Sequence, residues 1–334
     1  MTNSKVFIIL EAGVNHNGEL KKAIKLIDIA KKAGADAVKF QTWKTNELLT
    51  KKAKTAKYQK KYTSINNQHE LVKKLELSNE DFLLIYNHCK RKKIKFLSTA
   101  DDIPSAKFLS KYQNIFKIGS GEIDNVPFLR FIGSLKKKII LSTGNSTFQD
   151  IKLALKILTK SGTKMKDIAL LHCNSAYPTP IKDANVNCIT LFKKHFTINV
   201  GLSDHTMGYE SAISAVALGA KIIEKHFTLN KKLKGPDHHM SLDPQEAKEF
   251  VSLIRNTTNC LGNGLKRITN SEKENKKFVR KSIVAKKIIL KGEKFTKKNL
   301  TTKRPGLGVS PIKWDKIIGK KSKKNYEEDD FIEF

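Results

Sequence analysis

Eight short apolar runs alternate with segments of helical periodicity, and no other feature of this chain limits its fold so strongly. The runs cover 6–10, 37–40, 94–97, 115–118, 139–141, 168–171, 198–202 and 222–223. A strand covered on both faces reads as an almost unbroken apolar stretch. Eight of them alternating with helices predict an α/β fold, a (β/α)8 TIM barrel. Helices are expected over 19–33, from a Ser78 cap onward, and over 103–110, 127–135, 147–159, 186–195, 209–218 and 244–255. Gly34 and Gly219 stand where helices stop before strands. The span 43–77 is too long for a simple connection and reads as an insertion over the barrel mouth.

A barrel takes about 250 residues, and this chain has 334. The division expected is a catalytic barrel over 1–262, a linker over 263–281 and a small β-rich domain over 282–334, with β-like runs at 282–285 and 287–290. The four cysteines form no C-x-x-C pair, so neither a structural zinc nor a redox pair is expected. Free thiols fit a reducing cytoplasm. The opening apolar run leads directly into Glu11 without a small-residue cleavage site, so no signal peptide is expected. No apolar stretch reaches the roughly 18 residues of a membrane span. The reading is a cytoplasmic protein.

The formal net charge is +32. Its lysines are scattered rather than gathered in one stripe, and no nucleic-acid motif accompanies them, so no specific nucleic-acid partner is expected. A positive field does speed the arrival of a small anionic substrate.

In a TIM barrel the active site lies at the carboxyl ends of the strands. Lys39, Lys117, Ser120, Ser142 and Ser203 all fall there. Two ammonium groups and three hydroxyls on one mouth suit a phosphate or carboxylate. A lysine at a strand end can instead snorkel to water, and Ser before Gly is an ordinary turn residue. Five such positions together favour the anion site. His205 and His226 end adjacent strands. Neutral imidazole is the commonest ligand for a divalent transition metal, and two of them leave open positions for a Lewis acid. His16, His172, Asp204 and Glu224 are alternates. Glu11 ends a buried strand and needs a partner. It reads equally as an ion-pair partner of Lys39 and as an acid/base.

These residues stand in stretches that resemble the sialic acid synthase family over nearly the whole chain. The stretches are EAGVNHNG at 11–18, VKFQT at 38–42, FKIGSGE at 116–122, ILSTG at 140–144 and LHC at 171–173. They continue as YPTP at 177–180, GLSDHT at 201–206, EKHFT at 224–228 and GPD at 235–237. TKRPG at 302–306 resembles the family's antifreeze-like (SAF) domain. The resemblance implies condensation of phosphoenolpyruvate with an N-acylated amino-sugar aldehyde. It implies that Lys39, Lys117, Ser120, Ser142 and Ser203 hold phosphoenolpyruvate. His205 and His226 would bind Mn2+, or else Mg2+ or Co2+. Gln41, Thr99, Glu122, Ser175, Tyr177 and Asp237 would surround the sugar. Glu11 would sit by the metal and the reacting carbons. Arg304 would reach the sugar's N-acyl group in the other subunit of a domain-swapped homodimer.

Two positions depart from the family pattern. Ser175 stands where the neuraminic acid synthases tend to have Asn, and Ala100 where the family usually has Pro. HHMSL at 238–242 is similar to synthases of legionaminic acid. The sugar is therefore read as N-acetylmannosamine first and 2,4-diacetamido-2,4,6-trideoxymannose second. A catalytically inert sugar or polyanion binder on the same barrel is the reading from another class. Intact Glu11, Lys39, Lys117, His205 and His226 oppose it.

Overall fold

The computed structural model describes residues 5–55, 60, 62–63 and 65–333. Eight parallel strands close into a barrel in sequential order. They are β1 (Phe7–Gly13), β2 (Ala37–Thr42), β3 (Lys95–Ala100), β4 (Ile115–Ile118), β5 (Lys138–Ser142), β6 (Ile168–Cys173), β7 (Asn199–Asp204) and β8 (Ile222–His226). Every expected barrel run is a strand. Several strands continue past the apolar run into polar residues, as β8 does through Glu224 and His226. Hydropathy drops there while the ladder does not, because backbone pairing is indifferent to which side chain faces the lumen.

Strand alternation builds the site. Ile9, Ala37, Leu97, Ile140, Leu171 and Ile222 form one apolar cluster that plugs the lumen. Two residues further along the same strands come Glu11, Lys39, Thr99, Ser142, Cys173 and Glu224, which share that inward face by the period of two. The intervening residues, such as Leu10, Val38, Phe40, Phe116, Leu141 and Ile223, belong to the larger core between barrel and helices.

The helices begin where their capping residues dictate. Ser78 and Asp81 form a capping box for helix Asn79–Lys92, and Thr147 and Asp150 form another for helix Phe148–Lys160. Asp243 caps helix Pro244–Cys260, which runs five residues beyond the expected end at 255. Gly34 closes helix Leu20–Ala33 with φ 87°, a left-handed conformation that glycine adopts at low cost.

The insertion after β2 has its own small core. Helices Thr45–Leu48 and Gln68–Leu75 bring Leu71 and Leu75 against Trp43 and against Val14, which follows β1. Part of the expected 43–77 insertion lies outside the described residues.

The chain divides into two compact units, Met1–Asn263 and Gly264–Phe334. The stretch read as linker includes a helix, Asn270–Val279, started by a Thr269/Glu272 capping box. In the second unit β9 (Ser282–Ala285) pairs antiparallel with β10 (Leu300–Lys303). Ile283, Ile289, Phe295, Leu300, Ile317 and Tyr326 are among its core residues. The expected run at 287–290 is not a strand. Ile289 alone bridges to Tyr326, while Ile288 and Leu290 turn outward. Among the described residues no helix is long and apolar enough to cross a membrane.

Candidate active site

Glu11 is the register partner of Lys39 on one side and of His226 on the other. Its carboxylate meets the Lys39 ammonium at 2.5 Å. A bulge between Glu11 and Gly13 ends the regular pairing with β2. Gly13 has φ 50°, and a Cβ there would lie 3.2 Å from Glu11 Oε1 and 3.3 Å from His226 Cε1. The glycine lets the backbone turn close to both side chains.

Lys39 and Lys117 are buried, so neither snorkels to water. Lys39 donates to Thr99 Oγ1 at 2.8 Å. Glu224 stands between the two lysines, 3.4 Å from Lys117 Nζ and 3.8 Å from Lys39 Nζ. It also accepts from Ser203 Oγ at 2.9 Å. The Ser142 hydroxyl is buried without a partner among the described residues. Ser120 Oγ accepts from the Gly144 N–H at 2.9 Å. A Cβ on residue 144 would come within 2.2 Å of Ser175 Oγ and 2.9 Å of Ser120 Oγ, so a side chain there would displace the hydroxyls that converge at this point.

These groups line one cavity of about 530 Å3, together with Gln41, Glu122, Ser175, Tyr177, His205 and His226. It thus gathers Glu11, Lys39, Gln41, Thr99, Lys117, Ser120, Glu122, Ser142, Ser175, Tyr177, Ser203, His205 and His226 from the residues singled out in the sequence. Asp237 lines an adjoining cavity that shares Gln41, Tyr177 and His226 with the first. Arg304 is exposed, just past β10 in the second unit.

Three of the alternates are engaged elsewhere. Asp204 pairs with Lys225 at 2.7 Å and accepts from Thr206. His172 bonds the Ala184 carbonyl. His16 accepts from the Gly18 N–H. The fourth, Glu224, is central rather than peripheral. Asp101 was missed entirely, although it lines both cavities. It follows Leu97 and Thr99 on the same alternation, and that signal could have found it.

Burial raises the Glu11 carboxyl to about 7, against the pull of Lys39. Burial and the neighbouring Glu122 carry Asp101 to about 7 as well. Burial also opposes charge on Glu224, yet Lys117 and Lys39 bring its pKa down to about 2. Two carboxyls with separated pKa values therefore sit beside the same lysines, one close to neutrality and one permanently charged.

His205 and His226 have ring centroids 5.5 Å apart. Burial, with His205 and Lys39 nearby, holds His226 far below the histidine norm, so its imidazole is neutral. Its Nδ1 is buried with no partner among the described residues. His205 Nδ1 donates to the Asn174 carbonyl at 2.7 Å, and although burial opposes charge on the ring, Cys173, that carbonyl and Glu224 raise its pKa above the histidine norm. His226 offers a neutral imidazole, and His205 offers Nε2 once its ring is neutral, a pair that fits a divalent metal. Among the described residues no group of three or more His, Cys, Asp and Glu has the arrangement of a metal site. The remaining positions on such a metal would fall to water or substrate.

Residues 26–266 match the NeuB family and residues 280–334 match the SAF domain. The chain belongs to the NeuB family. This agrees with the family that the motifs resemble. A relative of this NeuB-family chain is the N,N'-diacetyllegionaminic acid synthase of Campylobacter jejuni, 48% identical over 98% of this chain and 99% of that one. The enzyme of the same name from Legionella pneumophila is 41% identical over 96% and 91%. The crystal structure of the N-acetylneuraminic acid synthetase of Leptospira borgpetersenii, in complex with citrate, superposes with a TM-score of 0.73 at 35% identity, covering 82% and 90% of the two chains.

Proposed function

We propose that this chain condenses phosphoenolpyruvate with an N-acylated amino-sugar aldehyde, releasing phosphate by C–O cleavage. The observation that carries the reading is the placement of Lys39 and Lys117 around Glu224, beside Ser142 and the paired imidazoles in one cavity. Phosphoenolpyruvate brings two anionic ends, and the two lysines with Ser120, Ser142 and Ser203 can divide them. Both lysines now face carboxylates, so a bound anion shares charges that are already oriented.

The new carbon–carbon bond joins C3 of phosphoenolpyruvate to the aldehyde carbon. The C2–C3 π electrons form that bond, the carbonyl π electrons move to the aldehyde oxygen, which takes a proton, and C2 becomes cationic. Water adds to C2 and gives up a proton. The resulting C2 hydroxyl–phosphate adduct collapses to a ketone as phosphate leaves with its bridging oxygen and takes up the hydroxyl proton. Glu11, half-protonated near neutrality, can give the first proton and accept the second. His205 and His226 would hold the divalent metal, Mn2+ by preference, which when bound polarises the aldehyde carbonyl. Gln41, Thr99, Glu122, Ser175, Tyr177 and Asp237 would orient the sugar. Arg304 would contact its N-acyl group from the partner subunit of a domain-swapped homodimer. The TKRPG stretch and the SAF match support that assignment.

The sugar we favour is 2,4-diacetamido-2,4,6-trideoxymannose, on the strength of the two legionaminic acid synthases at 48% and 41% identity. N-acetylmannosamine is the second reading, supported by the Leptospira structure. The test is phosphate release from phosphoenolpyruvate with Mn2+ and each sugar, with and without chelator. Chelator-sensitive turnover favouring the diacetamido sugar is expected. Preference for N-acetylmannosamine moves the assignment to a neuraminic acid synthase, and no release with either sugar removes the reaction.

A further inference from the structure

The amino end of the barrel carries a cavity of its own. Phe7, Ile115, Lys138, Ile168, Asn199 and Ile222 are the first residues of β1, β4, β5, β6, β7 and β8. All of them line a space of about 450 Å3 that shares no residue with the reaction cavity. Ile140 and Ile222 of the lumen plug form its floor with Ala169, and Phe7 and Ile115 pack there only half-buried. Lys5, Lys138, Lys166 and Lys221 stand around that floor. Lys5 is tied to Asp36 at 2.7 Å. The ammonium groups of the other three have no hydrogen bond or ion pair among the described residues. One unpaired lysine at a strand start is ordinary solvated surface. Three of them around half-buried apolar side chains leave positive charge uncompensated and apolar surface against water in the same place. Asp167 also lines the cavity. Its carboxylate repels a bare inorganic anion but accepts from an N–H or O–H on an organic one.

We propose that this amino-end cavity binds an organic polyanion with a flat apolar body, the chemistry shared by nucleoside phosphates and aryl phosphates. The body covers Phe7, Ile115 and Ile222, and the anionic end lies among Lys138, Lys166 and Lys221. Where the body carries a donor, Asp167 accepts from it. Both parts of the ligand are needed, because solvated ammonium groups alone hold an anion weakly once salt screens them. The site lies at the opposite end of the strands from Glu11, Lys39 and the histidines, so it does not depend on the reaction proposed above.

Titration calorimetry on the full-length protein at about 0.15 M salt tests the site without reading turnover. Cytidine triphosphate is compared with inorganic tripolyphosphate, and phenyl phosphate with inorganic phosphate. The organic member of at least one pair should bind about tenfold more tightly, and that pair identifies the source of the ligand. Lys138 and Lys166 are exposed, so their reversal leaves the core intact. Lys138→Glu/Lys166→Glu protein should bind the organic probe about 100-fold more weakly. Lys25 and Lys156 are exposed on helices Leu20–Ala33 and Phe148–Lys160 and line neither cavity. Lys25→Glu/Lys156→Glu protein has the same net charge as the first variant and should keep its affinity within about threefold. No binding of either organic probe, equal affinity within both pairs, or an equal effect of the two double variants would overturn the site.

Discussion

Glu11 and Lys39 are cross-strand register partners whose charged ends meet at 2.5 Å in the closed barrel. Burial nevertheless holds the Glu11 carboxyl near pKa 7. If Glu11 supplies the first proton, kcat/KM should fall as pH rises above about 7. The anionic substrate disfavours ionisation further, so the same limb in kcat should lie at higher pH. Glu11→Gln should lower kcat by about 10²–10⁴-fold and remove the limb. A pH profile with the limb intact in that variant would assign the proton to another group.

Asp101 affects stability as well as the site. Its pKa rises from 3.8 to about 7 on folding, so the folded state favours the protonated form. Its contribution is fully present below pH 3.8 and is lost as pH climbs through about 7. Asp101→Asn should therefore stabilise increasingly between these limits and level off above the upper one. The gain in Tm should be about 2–4 °C per kcal/mol recovered. Thermal melts at pH 5 and pH 8 check the sign.

Lys225 and Asp204 form a buried pair at 2.7 Å outside the reaction cavity. Lys225→Met leaves the Asp204 carboxyl buried without its partner cation. The expected cost is about 3–5 kcal/mol, read by denaturant unfolding. The activity per folded molecule should change far less than in any cavity variant.

Metal affinity should rest on both imidazoles. His205→Ala and His226→Ala should each weaken Mn2+ binding by more than the roughly 100-fold that losing a supporting hydrogen bond to a ligand can cost. Titration calorimetry on the intact protein measures this without relying on turnover. Unchanged affinity in both variants would place the metal elsewhere.

Arg304 is expected to act in trans. Glu11→Gln and Arg304→Ala proteins should each be weak alone. Random mixing and reassembly gives heterodimers in which one of two barrels has both groups, so about a quarter of full activity should return. No recovery would assign Arg304 to its own barrel or to no site.

Much of the barrel was legible because strand and helix periods are local. The apolar runs ending before Glu11, Gln41 and Glu224 located the strands, and Ser78 and Thr147 marked helix starts that the structure retains. Glu11, Lys39, Lys117, His205 and His226 could be picked out because a polar residue closing a buried strand demands a reason. Run 287–290 misled because two of its apolar side chains, Ile288 and Leu290, are exposed in the second unit.

What sequence alone determined, then, is the strand–helix order and the set of polar residues at the strand ends, since both follow from side-chain period and the cost of burying charge. Tertiary structure decided which of those groups face one another. Closing the barrel sets β1 beside β8, so that residues 215 positions apart, Glu11 and His226, become register partners. It turns Glu224 between two lysines and sends neighbouring Lys225 to Asp204 on the other side of the sheet. It also brings Trp43 and the insertion to the cavity edge. These pairings depend on closure and register, which no local pattern encodes, and the burial that closure brings is what raises the Glu11 and Asp101 carboxyls while the two lysines hold Glu224 low.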